Sequence, residues 1–404
     1  MADAGAREDS ASRFFDEAEK ELLEAAIESQ RADWVYATFI TPDTQELSSA
    51  GLARLIALTV QYARRAAELP RSSADPVLAR KARLLPLSLP LLAPSDPRMA
   101  QELTRRVASM QANFARGRHT PRGQTEPLDL QGLSRILIES RDPALLEDVW
   151  SGWHRVGRTI RPEFERYVEL ANVGARELGF ADTGAMWRSK YDMPPEAFAR
   201  EVDRLWEQVR PLYEALHTYV RGRLRTVYGD AVPRTGPIPC QFLGNMWAQS
   251  WEGIYPILAP PSDRAPFDLS KLLVDRRTSP EEMVRYAERF FVSLGLEPLP
   301  PTFWERSMLV RPRDREVVCH ASAWDVDFVD DLRIKMCIEI TGEDFRTIHH
   351  ELGHNYYQRA YGHLPYLFRD SAHDGFHEAI GDTIALSVTP AYLEKIGLLA
   401  QSPP

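Results

Sequence analysis

The sequence predicts a mainly α-helical fold with a small β element. Three observations carry this. Apolar residues recur at helical spacing over long windows, strand-like alternation is confined to two short stretches beside a pair of cysteines, and proline clusters punctuate the middle of the chain without a change of composition. With 404 residues, 44% of them hydrophobic and 26% charged, the chain can bury a full core.

From Ala11 to Ala32 the apolar positions Phe14, Phe15, Ala18, Leu22, Leu23, Ala26 and Ile27 mark one helix face. The same period returns over Ser49–Leu69 and Met99–Arg116, so the N-terminal quarter reads as helical hairpins. Further helices are predicted over Leu145–Leu178 and Pro195–Tyr228, the second opening on prolines and an acidic first turn. Proline clusters at Val232–Pro239, Pro256–Pro266 and Pro298–Pro301 read as ordered turns, because aromatics stand between them. Strands are expected at Glu316–Val318 and Leu332–Ile340. No solenoid-length repeat and no low-complexity tract is present.

A formal charge of -9 gives no basic footprint for a nucleic acid or an anionic membrane surface. The most apolar run, Leu84–Leu92, is short and broken by prolines, so no transmembrane segment is expected. The N-terminal residues lack a basic stretch followed by an apolar core and so do not read as a signal peptide. Three cysteines are too few for a disulfide scaffold. Cys319 and Cys337 bracket a short loop whose closure would contribute about 3 kcal/mol; three reduced, packed thiols fit the spacing equally well.

Seven of the ten histidines fall between His320 and His377. Among them, His350 and His354 stand four apart in a stretch of good helix formers with Gly353 as its one weak point, so both imidazoles leave the same helix face. This is His-Glu-x-x-His, in which two histidines hold zinc and Glu351 activates the zinc-bound water as general base. A third ligand must come from another element, since Tyr357 and Ala360 occupy the places of the extended glycine and histidine pattern. Glu378 is the best candidate, with Asp382 on the same helix face to orient a ligating imidazole. The plainer alternative for Glu378 is a solvated acid at a helix N-terminus. His349 and His377 sit about 100° around their helices from the ligands and are assigned to packing or substrate contact. Cys319 beside His320 is no nucleophile and base pair, because neighbours in an extended segment face opposite ways.

Six segments together resemble the angiotensin-converting-enzyme family of zinc peptidyl-dipeptidases: WRSKY from Trp187, GPIPCQFLGNMWAQSW from Gly236, REVVCHASAWD from Arg315, RIKMC from Arg333, HHELGH from His349 and GFHEAIGD from Gly375. The resemblance implies a helical ellipsoid with a deep central channel. Residues 1–404 would form one catalytic domain lacking its C-terminal portion, with 1–120 as lid helices and 121–404 as channel wall and zinc site. It implies zinc on His350, His354 and Glu378, with Glu351 as base. It further implies that His320 and Ala323 hydrogen-bond the substrate backbone and that Cys319 pairs with Cys337. Gln249 would hold the substrate carboxylate, where a single-residue-releasing branch carries arginine, and Arg188 and Tyr228 would contribute to two chloride sites. Family members continue past the position of Pro404 with oxyanion and carboxylate-binding groups, and most are secreted, periplasmic or membrane-attached.

The expected function is therefore a zinc metallopeptidase that releases C-terminal dipeptides from oligopeptides, activated by chloride, with weak turnover in a chain ending at Pro404. The competing expectation is an inactive homologue that binds peptides or partners.

Overall fold

The computed structural model describes residues 2–68, 75–89, 91–260 and 267–402. Leu69 of the second predicted helix, Pro90 of the apolar run and 261–266 of the second proline cluster fall outside them. By compactness the chain divides into two units, one of residues 1–108, 167–195 and 267–404, the other of 109–166 and 196–266.

The helices are α1 (Ala2–Thr38), α2 (Pro42–Ala67), α3 (Pro76–Leu84), α4 (Pro97–Ala115), α5 (Leu130–Glu139), α6 (Pro143–Glu177), α7 (Thr183–Ser189), α8 (Pro195–Tyr228), α9 (Tyr255–Leu258), α10 (Leu269–Asp275), α11 (Pro280–Ser293), α12 (Pro301–Arg306), α13 (Gly342–Tyr361), α14 (Asp374–Leu386) and α15 (Pro390–Lys395). Local chemistry sets their starts. Thr41 and Thr44 cap α2 reciprocally, Ser279 and Glu282 do the same for α11, and each helix has proline in its first turn, where the missing N–H costs nothing. The helical windows read from the sequence fall on α1, α2, α4, α6 and the whole of α8, with Arg116 and Leu178 lying one residue past the ends of α4 and α6.

In the first unit, α1 and α2 form the expected hairpin around Phe15, Ala18, Leu22, Tyr62 and Ala63. The buried pair Lys81–Glu19, at 2.6 Å, ties α3 to α1, and Glu19 also accepts the Leu367 amide at 3.1 Å, which pins the segment after α13 to the same hairpin. A separate core packs Leu273, Met283, Val284, Phe303 and Ile334 against Phe345, Ile348 and Leu352 of α13. In the second unit, Leu133, Leu137, Trp153, Val220, Leu224 and Phe242 form the core.

The sheet is a single hairpin, β1 (Ser322–Asp325) antiparallel to β2 (Leu332–Lys335), with Ala323 opposite Ile334 and Ser322 opposite Lys335. Two expectations need correction. Glu316–Val318 is not a strand: its backbone is taken up by the end of α1, through Ile40 N–H to Glu316 O at 2.9 Å and Val318 N–H to Ala37 O at 2.8 Å. β2 also ends at Lys335, well before Ile340, because Met336 and Ile338 bond the Met308–Leu309 segment.

Register fixes which edge of β1 is open. Val326 N–H donates to Asp331 O, so by antiparallel alternation Trp324 and Ser322 bond toward β2, while the N–H and C=O of Ala323 project from the opposite edge. Among the described residues no strand covers that edge.

Cys319 and Cys337 are bonded, and Cys240 is free. A closed loop of this size stabilises chiefly by restricting the unfolded chain, by about 3 kcal/mol. Reduction, or the double change Cys319→Ser/Cys337→Ser, is expected to lower the melting temperature by several degrees, while Cys240→Ser leaves it within a degree or two; calorimetry with and without reductant checks this.

Candidate metal centre

Helix α13 starts where Thr341 accepts the Asp344 amide at 3.1 Å, with Glu343 and Asp344 complementing the positive helix end. One face buries Phe345, Ile348 and Leu352, and the adjoining face carries His350 and His354 toward α14. Two glycines make that contact close. A Cβ added to Gly353 would lie 3.1 Å from Gly381 Cα, and one added to Gly381 would lie 2.7 Å from Cε1 of His350. Gly353, a weak point for helix propensity, is therefore the point where the two backbones cross.

This crossing brings Glu378 and Asp382 of α14 onto the histidines. His350 Nε2 and His354 Nε2 are 3.0 Å apart, Glu378 Oε2 is 3.4 Å from the first and Glu378 Oε1 is 3.8 Å from the second. One ligand atom from each of the three residues lies within 4.8 Å of the others. Bonds of about 2.0 Å in a tetrahedron separate their donors by roughly 3.3 Å, so the set fits zinc. Glu378 lies past the first turn of α14, largely exposed, with its carboxylate turned toward the imidazoles.

The outer nitrogens are also engaged. His350 Nδ1 lies 3.1 Å from Asp382 Oδ1, His354 Nδ1 lies 3.1 Å from His377 Nδ1, and His377 Nε2 lies 2.8 Å from Tyr361 Oη. With both facing Nε2 atoms bare for a metal, the Nδ1–H of His350 donates to Asp382 and that of His354 to His377, which places the His377 proton on Nε2 toward Tyr361. Burial, then the neighbouring His350 and His377, lower the His354 pKa to about 4, so this imidazole is neutral at pH 7 and able to ligate.

Glu351 is 6% exposed, and burial followed by the negative Glu378 raises its pKa to about 7, against the opposing pull of Lys335 and the Ala323 amide. A buried carboxylate poised near neutrality on the same helix as the two histidines has properties suited to a general base.

A family profile described as angiotensin-converting enzyme matches residues 5–404. The chain belongs to the angiotensin-converting-enzyme family. It is 49% identical over 271 residues to the angiotensin-converting enzyme of Oryctolagus cuniculus, covering 66% of this chain and 20% of the relative. For the enzyme of Rattus norvegicus the figures are 40% over 381 residues, 92% of this chain and 29% of the relative. For that of Haematobia irritans exigua they are 36% over 399 residues, 96% and 64%. The chain thus spans less than two thirds of the length of these relatives.

Within this family frame the other expected positions divide by unit. In the first, Ala323 lies in β1 with its backbone on the open edge, and the His320 ring is exposed, with Nδ1 2.8 Å from Ala321 O. Arg188 on α7 has a buried Nε with no hydrogen-bond partner. In the second, Gln249 is exposed, and Tyr228 is a core residue stacked on Phe242 at 4.4 Å. His349 packs as expected, fully buried between Phe345 O at 2.7 Å and Tyr392 Oη at 3.0 Å.

Sequence reasoning missed three members of the site. His377 is the partner of His354, Tyr361 closes that chain, and Gly381 makes room for His350. Tyr361 follows His354 by seven positions, two helical turns along the same face, which was a readable signal; the clearance at Gly381 was not.

Gly381→Ala is expected to displace His350 and weaken zinc binding by about tenfold or more, although alanine is the better helix former. Competition with a chromophoric chelator, alongside circular dichroism, checks this. A second prediction concerns Asp325, whose buried carboxylate oxygens make no hydrogen bond of normal geometry. Burial, then Asp327, raise its pKa to about 7 from 3.8. The folded state therefore favours the protonated form, and stability falls as pH rises from about 4 to about 7. Asp325→Asn should melt above wild type at pH 8, by on the order of 1 kcal/mol or more, with the difference closing toward pH 4.

Proposed function

We propose that this chain carries the zinc site and general base of a peptidase that releases C-terminal dipeptides from oligopeptides. The observation that carries the reading is the convergence of His350, His354 and Glu378 with the buried Glu351 on the same helix as the two histidines. Zinc, when bound, supplies a Lewis acid for the scissile carbonyl and lowers the pKa of water.

The residues of the chain divide the remaining work. The two histidines enter as nitrogen donors, held in orientation by Asp382 and His377. Glu351 takes a proton from the attacking water and returns it to the leaving amine as the peptide C–N bond breaks. The open edge of β1 can pair with an extended peptide, with the C=O of Ala323 bonding the substrate backbone while its N–H faces Glu351, and with His320 beside it. Gln249 is assigned to the substrate carboxylate. Chloride is assigned to Arg188, whose buried, unpartnered Nε suits an anion, and to Tyr228.

Wild type is expected to bind one zinc per chain, and His350→Ala/His354→Ala none. Glu351→Gln should bind zinc as wild type does yet release no dipeptide from a blocked tripeptide, because the carboxylate is a base and not a ligand. Elemental analysis with mass spectrometry of the products reads both arms. Loss of zinc from Glu351→Gln, or zinc retained without the two histidines, would overturn the assignment.

A further inference from the structure

Lys335 is 2% exposed, and an ammonium is among the costliest groups to bury. It lies in β2, flanked by the buried Ile334 and Met336, where an apolar side chain would pack at no electrostatic cost. Its partners explain its presence. Nζ donates to Val318 O at 2.7 Å and to His320 O at 2.6 Å, the two carbonyls on either side of Cys319. Cys319 is itself bonded to Cys337, two residues past Lys335. Three consecutive residues, 318 to 320, are thus held from one short stretch of the partner segment.

The two kinds of restraint differ. A disulfide fixes the distance between two chains but leaves the peptide planes on either side free to turn, whereas two charge-assisted hydrogen bonds aim those planes. The direction in which 320 enters β1 then decides where the Ala323 N–H and C=O point. The Ala323 amide also contacts the Glu351 carboxylate, and Glu351 in turn feels the positive charge of Lys335.

We infer that Lys335 is a positioning residue: from inside the core it aims the backbone of 318–323 and so sets the alignment of the open β1 edge, and of a peptide paired with it, relative to Glu351. This rests on the reading of that edge as the peptide-docking strand.

The test compares Lys335→Met, which keeps the length and removes the donors, with Lys335→Arg, which keeps donors and charge. In Lys335→Met the amides of 319–323 should exchange with deuterium about tenfold faster or more, the range carried by one lost hydrogen bond to a charged group. Affinity for a blocked tripeptide, measured by calorimetry on the zinc-loaded protein, should fall by a similar factor. Zinc affinity should stay within about twofold, and Lys335→Arg should recover part of both losses. Should Lys335→Met fail to fold, Lys335→Gln, which keeps a donor, reports through the same readings.

Unchanged exchange at 319–323 overturns the inference, as does faster exchange with undiminished peptide affinity. A parallel fall in zinc affinity and global stability, without rescue by arginine, means that Lys335 merely fills the core and also overturns it. A wild-type chain that binds zinc but no tripeptide overturns the docking reading, while the exchange data still decide whether Lys335 holds the segment.

Discussion

The candidate metal centre depends on how closely the backbones of α13 and α14 can cross. Each donor atom sits at the end of a side chain only a few bonds long, so bringing histidines from one helix within reach of carboxylates from the other needs a backbone separation that ordinary side chains prevent. Gly353 and Gly381 supply it. The same approach that puts Glu378 3.4 Å from His350 Nε2 also puts Asp382 3.1 Å from its Nδ1. The two carboxylates thus come as a pair from one helix face, one turn apart.

Burial then does the chemical tuning. Glu351, Lys335 and Asp325 are nearly inaccessible charged or chargeable groups in the same unit, and in each case desolvation is the largest influence on the proton equilibrium. Glu351 and Lys335 partly relieve one another, because each favours the charged form of the other. Asp325 has Arg369 as its favourable charge but two further carboxylates, Asp327 and Asp330, against it. Like Glu351, it keeps a nearby cation and a backbone amide, that of Phe328, and in both groups burial outweighs this relief.

The hairpin carries more of the site than its size suggests. Its inner edge is satisfied by β2, and among the described residues no strand covers its outer edge, an arrangement in which a two-stranded sheet can accept a third strand from a ligand. Such an exposed edge must be held still to select one register, and the disulfide, Lys335 and the bonds from the end of α1 to Glu316 and Val318 all act on the segment that leads into it.

Helical periodicity, the His-Glu-x-x-His spacing and the pairing of Glu378 with Asp382 were legible in the sequence, because each depends only on the 3.6-residue turn and on side-chain chemistry within a few positions. Whole-segment resemblance added the family. Other features were not legible, because they depend on elements distant in sequence. The alternation at Glu316–Val318 looks like a strand until the end of α1 claims its backbone groups. The closeness of Gly381 to His350 exists only where two helices cross, and the partnership of His377 with His354 follows from the same crossing. The burial of Lys335 exists only once the core has closed over β2. Residue types and local spacing determined which groups could bind a metal and move a proton; long-range packing decided which of them meet and in what protonation state, because distance and burial are properties of the folded chain alone.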